Sequence, residues 1–154
     1  MTDGTEVALV QNPGHDFYPT VSPNGRWLAY SSFLPTLRGV VVGTLSTTLE
    51  NPRVVAPGQS PMWSYDGREL FYFSDGTMWV APIITDPTFR LGPAEALFST
   101  APYRGTAADH QRSWDIHPDG DRFLMIRRAQ PEAGPDYVVV LNWLEELKRL
   151  VPVP

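Results

Sequence analysis

Three segments of this chain repeat one pattern: "SPNGRWLAYSS" (22–32), "SYDGRELFYFS" (64–74) and "HPDGDRFLMIR" (117–127). Aligned on Gly25, Gly67 and Gly120, the copies stand 42 and 53 residues apart. Periods of this length belong to repeat architectures in which each repeat is one supersecondary unit. In every copy an extended run ("YPTVS", "PMWS", "SWDIH") meets a short turn, and a second apolar run follows. The turns are Asn24-Gly25, Asp66-Gly67 and Asp119-Gly120, dipeptides that accept positive φ and join antiparallel strands. Each copy is therefore read as a β-hairpin.

More strand-like sequence follows each hairpin. The first copy continues with "GVVVGTLS" (39–46) and "PRVVAP" (52–57), the second with "GTMWVAPII" (76–84) and "AEALFST" (94–100). The third has "DYVVVLNW" (136–143) and then turns helical, so its fourth strand is expected from "EVALVQN" (6–12). The spacing predicts an all-β chain, a single domain over 1–154. Its parts are a closing strand at 6–12, four-stranded antiparallel units at 17–57, 59–100 and 111–143, and a short helix at 142–151. Asn142 caps that helix with Glu145 three positions on, and Trp143, Leu147 and Val151 make the apolar face that packs on the rim.

With 154 residues, 42% of them hydrophobic, the chain is large enough to bury a core without staples. Its formal net charge of -5, with 12 Lys plus Arg spread thinly, argues against nucleic acid and membrane surfaces as partners. The absence of cysteine removes disulfides, thiolate metal sites and cysteine nucleophiles, and leaves the redox compartment open. "MTDGTEVALV" has neither the basic start nor the apolar run of a signal peptide. The expectation is a soluble chain, cytoplasmic or, as a piece of a longer protein, periplasmic.

The motifs "FYPTVSPNGRWLAYSS", "SPMWSYDGRELFYFS", "SWDIHPDGDRFLMIRR" and "VVVLNWLEELKRLVP" resemble TolB-like (WD40-like) β-propeller repeats. More narrowly they are similar to the C-terminal propeller segment of many bacterial proteins, some of them Ser/Thr kinase fusions. Asn24 stands where that pattern usually has aspartate and Tyr65 where it has proline; both still permit a tight turn. The resemblance implies that each unit is a propeller blade, that the ring has six blades, and that the repeats carry no catalytic role. Three blades are too few to close a ring. The expectation is a homodimer in which the 6–12 strand of each copy completes the third blade of the other. The alternative is a segment of a longer propeller.

Candidate chemistry is sparse. The long insertion "STAPYRGTAADHQRS" (99–113) carries Tyr103, Arg104, Asp109, His110 and Arg112, the polar content of a ligand-binding loop. It reads equally as a solvated connection or as packing across a subunit junction. No G-x-S-x-G elbow is present, and Ser22 and Ser64 sit in turns where a hydroxyl bonds nearby backbone. His15, His110 and His117 fall in three repeats without metal-ligand spacing, so no metal and no cofactor is expected. Trp27, Trp63, Trp79, Trp114, Tyr30, Tyr72, Phe71 and Phe123 read as core rather than as a carbohydrate platform. The expected function is a non-catalytic scaffold for protein interaction or ligand sensing. The alternative is a propeller enzyme, or a hydrolase-associated propeller, acting on a sugar-acid or peptide substrate in the central channel.

Overall fold

The structure, a computed structural model, describes residues 6, 8–11, 13–84, 88–103, 112–120 and 122–127. Among these the chain is all-β and antiparallel, with no helix. The first sheet has the order β1 (Asp16–Val21), β2 (Trp27–Ser32), β3 (Gly39–Leu45), β4 (Leu49–Ala56). The second runs β5 (Gln59–Trp63), β6 (Glu69–Ser74), β7 (Thr77–Ile84), with β8 (Arg90–Leu91) and β9 (Glu95–Ser99) both paired to β7. A third is the hairpin of β10 (Trp114–Ile116) and β11 (Phe123–Met125). The first two sheets hold the strands expected for 17–57 and 59–100, with β8 added. The described residues of 6–12 form no strand in the isolated chain, and the expected strand at 136–143 and helix at 142–151 lie outside the described residues. No helix among the described residues is long and apolar enough to cross a membrane.

The repeated turn has one mechanism with three variants. Gly25, Gly67 and Gly120 each donate an N–H to the carbonyl three residues back, on Ser22, Ser64 and His117, at 2.8, 2.9 and 2.8 Å. Only the glycines adopt positive φ (71°, 71° and 81°), so Asn24, Asp66 and Asp119 serve through their side chains instead. Asn24 Oδ1 accepts from the Ser22 hydroxyl (2.8 Å) and the Arg26 N–H (3.0 Å), while Ser22 Oγ accepts from the Trp27 N–H (2.9 Å). Asp66 and Ser64 repeat this with Arg68 and Glu69. In the third copy His117 replaces the serine, its Nδ1 2.9 Å from Asp119 Oδ1, with Arg122 on the other Asp119 oxygen. The turns lie together at one end: a Cβ on Gly67 would sit 3.5 Å from Pro23 Cδ.

The three sheets are stacked face to face. The burial pattern of β6 is near-continuous, which marks a sheet covered on both faces. Leu70 and Tyr72 point to the first sheet and share a cluster with Ala29, Val40, Val42 and Ala56. Phe71 and Phe73 point the other way, into a cluster with Trp114 and Ile116 against which Phe123 and Met125 pack. The period-2 alternation of a strand thus divides one apolar run between two interfaces. The aromatics expected as core all lie in or against these clusters.

Candidate functional site

Two polar places stand out from this apolar stack. The first is where the leading strands of the units meet. β1 and β5 each carry a bulge, between Phe17 and Thr20 and between Gln59 and Met62, and each puts a non-glycine residue at positive φ: Tyr18 at 58° and Ser60 at 55°. These residues are repeat equivalents, so the bulge is a property of the unit. Around them runs a buried seam through all three sheets. Ser31 Oγ accepts from the Ser60 N–H at 2.7 Å, and Ser60 Oγ accepts from the Trp114 indole N–H at 2.9 Å. Arg112 closes it, donating to the carbonyls of Tyr18 (3.0 Å) and Pro61 (2.9 Å). Burial pulls the Arg112 guanidinium below its ordinary range, opposed by Asp115 and Tyr18.

The second place is an open cleft of about 540 Å³ at the end of the first two sheets opposite the repeated turns. The β2–β3 loop supplies Phe33 and Arg38, the β4–β5 connection Gly58, the start of β5 Gln59, and the β6–β7 turn Asp75 and Gly76. Backbone geometry shapes it. Gly58 has φ 106°, and a Cβ there would fall 2.0 Å from the Phe73 carbonyl oxygen, so the connection passes hard against the end of β6. Asp75 (φ 48°) and Gly76 (φ 71°) make the two-residue left-handed turn that β6 and β7 need. Phe33 stays partly exposed at the rim, edge-on to Phe17 at 5.8 Å, and His15 stacks on Phe17 at 6.0 Å. A cation, a carboxylate, a carboxamide and an exposed ring on loops from two sheets can hold a polar ligand or peptide segment.

Of the residues expected to bind a ligand, Arg104, Asp109 and His110 lie outside the described residues. Tyr103 forms a bridge with Arg127 and sets its ring 6.3 Å from Phe98, tying the segment after β9 to the third hairpin. Arg112 is the clamp described above. The two are thus placed in different settings, one joining neighbouring chain segments and the other spanning three sheets. His117 is bound up in its turn, and no group of three or more His, Asp or Glu side chains that could hold a metal ion occurs among the described residues. The cleft residues Arg38, Gln59 and Asp75 were not anticipated. The signal for them is the glycines at this end of the sheets: Gly39 and Gly58, where the backbone approaches another strand closely, and Gly76, which takes the left-handed position of the β6–β7 turn.

Comparison with known protein families, with curated proteins and with solved structures finds no match to this chain.

Proposed function

We infer that this chain is half of a six-bladed TolB-like β-propeller, completed by a second copy, that works as a non-catalytic scaffold. The loop cleft over the first two sheets is its recognition site for a polar ligand or an extended peptide. The observation that carries this is the stacking: consecutive sheets pack through equivalent repeat positions, and their loops gather at one end into an open polar cleft. Loops held by a rigid stack of sheets are where such architectures place binding residues. The chemistry of the cleft favours binding over turnover. Arg38, Gln59 and Asp75 offer charge and hydrogen bonds to a bound ligand.

The test is an amide-resolved NMR titration of the whole chain with a pool of random-sequence peptides and, separately, with oligogalacturonate as a sugar-acid probe. The expected result is shifts centred on 33–39, 58–59 and 74–76 with one probe class, lost in Arg38→Ala, and the probe recovered intact. Silence of those amides with every probe, or cleavage of a probe, overturns the scaffold reading.

A further inference from the structure

Asparagine occurs at four positions in this chain, and the residue after each decides its chemistry. Asn12 and Asn51 precede proline, which has no amide hydrogen to lose, and Asn142 precedes the bulky Trp143. Asn24 precedes Gly25, which has no side chain to hinder attack by its amide nitrogen on the neighbouring carboxamide. Both residues lie exposed in the first of the repeated turns, and a Cβ on Gly25 would meet nothing within 4 Å. Water and base therefore reach the pair.

The folded turn holds the reacting groups out of use. Attack needs a free Gly25 nitrogen facing Asn24 Cγ. The Gly25 N–H instead donates to the Ser22 carbonyl at 2.8 Å, and Asn24 Oδ1 accepts from the Ser22 hydroxyl at 2.8 Å and the Arg26 N–H at 3.0 Å. Turning the carboxamide onto the Gly25 nitrogen breaks all of these bonds, so reaction in the folded chain waits on local opening of the turn. The repeat also shows what the product looks like. Asp66 sets a carboxylate at the equivalent position, accepting from the Ser64 hydroxyl at 2.7 Å and the Arg68 N–H at 3.0 Å. Arg26 stands where Arg68 does, whose Nε lies 3.7 Å from Asp66 Oδ2. An aspartate at position 24 thus meets the same donors and the same cation.

We propose that Asn24 is a deamidation site of this chain, gated by opening of the first turn, whose aspartate product re-forms that turn and whose isoaspartate product breaks it. The Gly25 nitrogen loses its proton to base and attacks Asn24 Cγ; the N–Cγ bond forms, the Cγ–Nδ2 bond breaks, and ammonia leaves a five-membered succinimide. Water then opens the ring at one carbonyl to give aspartate, or at the other to give isoaspartate. Isoaspartate routes the main chain through the side-chain carbon, which adds an atom inside the turn closed by the Ser22 carbonyl and the Gly25 N–H. The Asp66 and Asp119 turns do not follow this course, because a carboxylate resists attack and has no ammonia to release. The modification adds one negative charge to the chain and records how often the first hairpin opens.

The test incubates the full chain at mildly alkaline pH, folded in buffer and unfolded in urea, and follows the exchange of NH2 for OH by peptide mapping in a mass spectrometer. The gain is expected at Asn24 in both conditions. It should be slower in the folded chain by roughly a hundredfold, the factor that three hydrogen bonds of ordinary net strength supply. Ser22→Ala removes one donor to Asn24 Oδ1 and should speed the folded reaction by roughly tenfold while leaving the rate in urea unchanged. Asn24→Asp imitates the first product and is expected to melt no lower than the parent at neutral pH, whereas the isoaspartate fraction, separated by ion exchange, melts lower. Equal rates folded and unfolded, a gain that maps to another asparagine, or an Asn24→Asp variant that melts below the parent overturns the proposal.

Discussion

Asp66 and Asn24 occupy the same turn position and accept the same hydrogen bonds, one charged and one neutral. The Ser64 hydroxyl, then the Arg68 backbone N–H, hold the Asp66 carboxyl below the usual carboxylate range. A group whose folded pKa lies below its unfolded value stabilises the fold above the unfolded pKa, about 3.9 for Asp, and loses that contribution as pH falls through the folded value. Asp66→Asn keeps the acceptor that Asn24 shows to be sufficient. The variant is expected to be slightly less stable than the parent at pH 7, the difference being small because the carboxylate is exposed. The difference should start to shrink as pH falls below about 4 and close only below the lowered folded pKa of Asp66, as read in thermal melts across pH. The turns were legible at this scale, since Asn-Gly and Asp-Gly pairs between apolar runs have few other uses. The hydroxyls of Ser22 and Ser64, expected to bond nearby backbone, accept from the return strand at Trp27 and Glu69; what the pairs did not reveal is that only the glycine of each takes the left-handed conformation.

The strands were readable where three or four consecutive apolar residues are bounded by turn residues, as in β2, β3, β6 and β7. β8 has two residues and no periodicity to read. Its lead-in nevertheless carries Phe89, 2% exposed, whose ring centroid lies 4.9 Å from that of Trp27 and 5.9 Å from that of Trp63. Arg53 on β4 donates to the Phe89 carbonyl and holds its guanidinium over the ring, fastening the second sheet to the edge of the first. Removing a buried aromatic ring costs about 3–5 kcal/mol where the site cannot collapse. Phe89→Ala is expected to lower stability by that order in urea unfolding at unchanged m-value, and a loss under about 1 kcal/mol would show that β8 is ornamental. The paired bulges at Tyr18 and Ser60 were equally hidden, because neither residue type announces positive φ.

Across the whole molecule, Arg112 is the one side chain whose hydrogen bonds reach two other sheets, through the carbonyls of Tyr18 and Pro61, among the described bonds of this seam. Arg112→Met preserves much of the volume and removes both donors. It should destabilise the chain by about 1–3 kcal/mol, the cost of leaving buried carbonyls unmet, and a stability unchanged within error would mean the clamp is dispensable. A binding role for the residue would instead appear as lost ligand shifts at parental stability.

The sequence by itself determined the local pieces: the repeated turn, the hairpin around it, the strands that follow, and the apolar character of both faces of β6. These depend on side chains within a few residues of one another, on φ preference and on a period of two. Only the tertiary structure decided which face of each sheet meets which neighbour, where Arg112 and Phe89 go, and which loops converge on the cleft. Those outcomes depend on contacts between residues 29 to 94 positions apart, such as Ser60 with Ser31 and Arg112 with Tyr18. A pattern of alternation says that a face is apolar, and not what will cover it.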